Sequence, residues 1–72
     1  MEIYHLIVNT CFHPDWINRF RQFCQAIKDA GIKTDEKVLF IEDDAQMETI
    51  RELARENFID IVLVKEDDIK KL

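Results

Sequence analysis

Apolar residues fall along this chain in two alternating rhythms. Ile3 to Val8 (Ile-Tyr-His-Leu-Ile-Val), Val38 to Ile41 (Val-Leu-Phe-Ile) and Ile59 to Val64 (Ile-Asp-Ile-Val-Leu-Val) are short runs rich in β-branched and aromatic residues. Their apolar side chains fall on both faces, which predicts three internal strands. Between them the spacing changes to three and four. Trp16, Ile17, Phe20, Phe23, Cys24, Ile27 and Ala30 form one apolar stripe, opposite Asn18, Arg19, Arg21, Gln22, Gln25, Lys28 and Asp29. Met47, Ile50, Leu53, Ala54 and Phe58 form a second, opposite Arg51, Glu52, Arg55 and Glu56. Each stripe predicts an amphipathic helix.

The punctuation agrees. Pro14 and Asp15 suit a first helical turn, and Gly31 suits the residue just past a helix end. Asp43-x-x-Gln46 has the form of a capping box at the start of the second helix. Ile32 to Glu36 reads as a connection, and Ile69 to Leu72 as a tail or last helical turn.

The order is thus β-α-β-α-β, an α/β class in which crossovers make neighbouring strands parallel. Residues 1–72 are expected to form one domain with a Rossmann-like, three-stranded parallel sheet. Strand order 2-1-3 places one helix on each face. Order 3-2-1 places both helices on one face and leaves the other for a dimer partner. Either order leaves two open sheet edges, which invite self-association.

Composition narrows the function classes. The chain has 72 residues, 47% of them hydrophobic, with one Gly and one Pro, so little of it is left for irregular loops. A domain this small buries only about 60% of its unfolded surface, and oligomerisation is a common remedy. A net charge of −5 argues against a nucleic-acid partner. No apolar run reaches the roughly 20 residues of a membrane span, and no secretory signal pattern opens the chain. Cys11 and Cys24 make neither a disulfide framework nor a zinc spacing, which fits a reduced, cytoplasmic setting.

Parallel strands would gather their carboxyl ends on one rim. Asn9, Thr10, Cys11 and His13 would meet Glu42, Asp43 and Asp44 there, with Glu66, Asp67 and Asp68 beside them. Carboxylates so placed suit a hard cation, and Asp43, Asp44 and Glu66 are the candidate ligands for Mg²⁺. Capping of helices and solvation of the surface is the plainer use of the same residues. Cys11-x-His13 ahead of a helix N-terminus has the ingredients of an activated thiol but lacks a third, orienting group. A single glycine rules out the glycine-rich phosphate loops. His5, inside a strand, reads as a core or subsurface residue. Phe12 and Trp16, at the edge of the first helix, are candidate partner-binding residues, because exposed aromatics are enriched in interfaces.

Two stretches resemble known families. Val38-Leu39-Phe40-Ile41-Glu42-Asp43-Asp44-Ala45-Gln46-Met47 looks like the opening of a response-regulator receiver domain, and Asp60-Ile61-Val62-Leu63-Val64 like its phosphoacceptor strand. That resemblance, over residues 37–65, implies Mg²⁺ on Asp43 and Asp44. Lys65 stands in the place of the phosphate-accepting aspartate, so phosphorylation is not implied. Ile7 to Trp16 together with Asp43 to Thr49 is similar to the start of family-2 glycosyltransferases. Ala45 and Gln46 replace that family's Gly-Ser, and its metal-binding and acceptor halves have no counterpart here.

The expectation is a small, non-enzymatic interaction or regulatory protein with a protein partner or a second copy of itself. The alternative is a divalent-metal or phosphate-ligand domain built on the acidic strand ends.

Overall fold

The structure is a computed structural model that describes residues 1–70, with the backbone alone described at Lys70. Its elements are β1 (Glu2–Cys11), α1 (Trp16–Asp29), β2 (Lys33–Asp35), β3 (Val38–Ile41), α2 (Asp44–Glu56), β4 (Ile59–Lys65) and α3 (Glu66–Lys70). The three expected strands and two expected helices are present. The sheet they build is not the expected one. It has four strands in the order β2-β3-β1-β4, and every neighbouring pair is antiparallel. The parallel sheet, the Rossmann-like plan and both three-strand orders are therefore corrected to the split β-α-β plan of ferredoxin-like sheets.

The reason lies in β2, a three-residue strand within the stretch read as a connection. α1 carries the chain from β1 to β2, and these two strands do run parallel, since both are antiparallel to β3. A two-residue turn, Glu36-Lys37, then sends β3 back between them, with Asp35 paired to Val38. Glu36 takes φ 56°, the positive φ that tight hairpin turns demand of a central residue. α2 similarly joins β3 to β4, parallel strands with β1 between them. The crossovers behave as expected, but each is split by a strand inserted in its middle.

Helix ends follow the chemistry of their residues. At the end of α1 the Gly31 N–H donates to Lys28 O (3.0 Å) and the Ile32 N–H to Ile27 O (3.3 Å), with Gly31 at φ 81°. That is a Schellman ending with Gly31 as the C′ residue, and Ile27 and Ile32 are both buried. At the start of α2 the Asp43 carboxylate accepts from the Gln46 N–H (2.9 Å), while Gln46 Oε1 accepts from the Glu42 N–H (2.7 Å). The box closes one residue earlier than the usual form. Pro14 lies ahead of α1, and Asp15 at its N-cap gives its carboxylate to Asn18 Nδ2 (3.0 and 3.1 Å), not to the backbone.

The core lies between the helices and one face of the sheet. Phe23 and Ile27 of α1 and Ile50 and Ala54 of α2 pack with Leu6, Ile32, Leu39, Ile41 and Ile59. Tyr4, Val8, Cys11, Ile61 and Leu63 complete that face from β1 and β4. Alternation sends Ile3, His5 and Ile7 of β1, Val38 and Phe40 of β3, and Val62 and Val64 of β4 to the other face. The register sets Ile3 opposite Phe40, His5 opposite both Val38 and Val64, and Ile7 opposite Val62. Among the described residues neither α1 nor α2 covers that face; α3 leans on its end beside His5, and Ile7 and Val62 stay exposed. The sequence reading that the strands are apolar on both faces holds; the expectation of helical cover on both does not.

Candidate functional site

Because β1 runs against β3 and β4, the strand ends that a parallel sheet would gather are divided between two ends of the molecule. Cys11 and the turn after it lie at one end. The ends of β3 and β4 lie at the other, where Glu2 pairs with Ile41 and Tyr4 with Lys65. Among the acidic candidates, Asp43 caps α2 and Asp44 opens its first turn. Glu66 comes within 3.8 Å of His5 Nε2, on the open side of the sheet. Among the described residues no three His, Cys, Asp or Glu side chains are placed to hold a metal ion.

The same end carries a cross-strand network. Lys65 Nζ lies 3.0 Å from Glu2 Oε1, and the Tyr4 hydroxyl donates to Glu2 Oε2 at 3.0 Å. Lys65, and then Tyr4, hold the Glu2 carboxyl below its ordinary range by stabilising the anion. Glu2 in turn raises both Lys65 and Tyr4. Lys65, the residue that interrupts the receiver pattern, thus ties β4 to β1.

The thiols are not arranged as nucleophiles. Cys11 Sγ donates to Asn57 O across 3.9 Å, and His13 Nδ1 accepts from the Asp15 N–H at 3.0 Å. Cys24 is half-buried against the core side of α1, and desolvation pushes its thiol up. That desolvation opposes thiolate formation at Cys24.

What the structure does bring together is apolar. Phe12 is 73% exposed and Trp16 57% exposed, so neither partner-binding candidate is taken up by the core. Ile17 beside Trp16 is exposed as well. Phe58, assigned by periodicity to the inner face of α2, instead follows the helix and is 48% exposed. It sits at φ 61°, donates its N–H to Arg55 O (3.1 Å), and accepts the Phe12 N–H at its carbonyl (2.7 Å). Its ring lies 5.4 Å from the His13 ring and 5.4 Å from the Arg19 guanidinium carbon. A bulky residue in a left-handed conformation is strained, and such strain collects at functional sites.

Phe58 also stands at the head of a groove of about 640 Å³ along the outer edge of β4, lined by Phe12, Arg51, Ala54, Arg55 and Ile59 to Leu63. Sequence reasoning missed this groove, because only the strand order makes β4 an edge. The open sheet face is the second surface. Ile7 and Val62, opposite each other at its centre, are 46% and 42% exposed.

Comparison with known proteins finds no matching family model, no matching curated protein and no matching solved structure. Among the described residues no helix is long and apolar enough to cross a membrane.

Proposed function

We propose that this chain is a small non-enzymatic interaction module that works as a homodimer, the open face of its sheet packed on that of a second copy. The supporting observation is the apolar set Ile3, Ile7, Val38, Phe40, Val62 and Val64 on a face that α1 and α2 leave uncovered. An antiparallel sheet normally turns a polar face to water, so an apolar one marks an interaction surface. Polar residues border it: Lys33 lies opposite Phe40, Asp35 opposite Val38, and Asn9 Nδ2 donates to Asp60 Oδ2 at 3.3 Å. An apolar centre with a polar rim is ordinary interface anatomy.

Size sets the strength. Four strands about 4.8 Å apart and about five residues long give a face near 19 by 17 Å, roughly 300 Å² in projection. A standard interface takes about 800 Å² per partner, so this face supports a weak dimer that depends on concentration. Light scattering after size exclusion, from about 1 µM to about 1 mM, tests it. The mass is expected to rise from 8.6 kDa towards twice that value with concentration. Ile7→Lys and Val62→Glu each place a charge on the face and hold the chain at the monomer mass. A wild-type monomer throughout the range, or dimers that both variants leave intact, overturns the proposal.

A further inference from the structure

The two edges of the sheet are built differently. β2 closes one edge with three residues, Lys33-Thr34-Asp35, two of them charged. Short, charged strands are how natural sheets blunt an edge. β4 closes the other with seven residues, Ile59-Asp60-Ile61-Val62-Leu63-Val64-Lys65, containing neither proline nor glycine. The one irregularity in its pairing is an extra residue in β1, between Val8 and Thr10, so β4 itself keeps an unbroken edge. Its outward N–H and C=O groups form a template for another strand.

The groove beside this edge has a chemical character. Arg51 and Arg55, one turn apart on α2, line it together with β4, while Phe12 and Phe58 close the end where β4 begins. The Arg51 guanidinium shares its charge with Glu48 at 3.0 Å, and both side chains remain more than half exposed. Arg55 makes no ion pair among the described residues. In a chain of net charge −5, this groove is lined by two guanidinium groups against one carboxylate, Asp60, a local concentration of positive charge. The one carboxylate along the groove, Asp60, is engaged by Asn9.

We infer that the β4 edge receives an extended, acidic segment of a partner protein as a fifth strand. Strand addition supplies affinity through main-chain hydrogen bonds and specificity through alternate side chains. Side chains of the added strand on the helix side meet Arg51 and Arg55, where carboxylates are favoured in bidentate contact. Those on the other side extend the apolar row of Val62 and Val64. Phe12 and Phe58 cap the aromatic end, and the strained placement of Phe58 keeps its ring out of the core and at the groove mouth. A second copy of this net-acidic chain is disfavoured there, because it offers β4, a strand whose side chains include one carboxylate, Asp60.

This surface is distinct from the open face, and its test reads a different quantity. A fluorescein-labelled peptide alternating glutamate and valine over seven residues is titrated with the full chain, and a lysine–valine peptide serves as control. The glutamate peptide is expected to bind in the range of roughly 10–500 µM, weakening as salt is raised. Amide resonances of residues 59–65 are expected to shift on binding. The R51E/R55E double variant, altered only at exposed positions, should lose about tenfold in affinity and gain the lysine peptide. Equal binding of both peptides, no binding of the glutamate peptide at about 1 mM, or unchanged affinity in R51E/R55E overturns the inference. None of these results bears on dimerisation, which light scattering reports separately.

Discussion

Phe58 offers a test in which the usual order of two substitutions is reversed. It occupies the C′ position after α2, at φ 61°, with its N–H bonded to Arg55 O. A left-handed conformation costs a residue with a Cβ about 1–2 kcal/mol, a cost glycine escapes. Glycine also gains freedom in the unfolded chain, worth about 0.5–1 kcal/mol against it. Phe58→Gly should therefore be more stable than Phe58→Ala by roughly 0.5–1 kcal/mol, although alanine wins in most helical contexts. Both variants lose the ring contacts with His13 and Arg19, a loss of about 1–2 kcal/mol for a half-exposed aromatic with one cation–π contact. Against wild type, Phe58→Ala falls by that full amount, and Phe58→Gly by about 1 kcal/mol. Urea denaturation resolves the difference: with a slope near 1 kcal/mol/M, the two midpoints separate by about 0.5–1 M. An alanine variant equal to or more stable than the glycine variant would refute the claim that the chain imposes this φ.

Two further outcomes follow from the core and the cross-strand network. Ile50 is fully buried between α2 and the sheet, so Ile50→Ala should cost about 2–5 kcal/mol. Total stability for a chain of 72 residues is on the order of 4–11 kcal/mol, and circular dichroism should find the variant partly unfolded at 37 °C. The Glu2–Lys65 pair is exposed and its contribution small, but its pH dependence is specific. The lowered Glu2 carboxyl stabilises the fold above its ordinary value of 4.5, and this is lost as pH falls through the lowered folded value. The raised Lys65 contributes below its ordinary 10.5 and is lost as pH rises past it. Glu2→Gln should thus melt below wild type at pH about 7, the gap closing as pH falls through the lowered range of the Glu2 carboxyl. A gap that persists below that range argues against the pair.

Element identity was largely legible in the sequence because it depends on local periodicity. The stripe through Phe23 and Ile27 set one helix and the stripe through Ile50 the other, and Gly31 and Asp43 set two of their ends as read. Lys33-Thr34-Asp35 was not legible, since three residues with no apolar side chain carry no strand rhythm. That omission had a large consequence. With β2 unseen, the crossover through α1 seems to end at β3, and β3 is assigned parallel to β1. Restoring β2 and its two-residue turn reverses β3, and α2 then delivers β4 in the same direction as β3.

The single rim of candidate residues was divided by the direction of the strands. Antiparallel pairing sends Cys11 and His13 to the pole opposite Asp43, Asp44 and Glu66, which follow β3 and β4 at the same end. Phe12 and Trp16 needed only local context, an aromatic at the edge of an element, and both are exposed. The β4 groove had no signal in the chain, because Arg51 and Arg55 look like any solvated helix face until β4 is known to be an edge.

By itself the sequence determined three of the four strands and the two long helices, where two of the helices stop or start, and that the predicted strands are apolar on both sides. Those properties are written in spacings of two, three and four residues. Only the tertiary structure decided that the helices share one face, that the second face is left apolar and open, and that β4 lies at an unguarded edge. These depend on which strands become neighbours, and a two-residue turn at Glu36 and Lys37 decides that by reversing the chain.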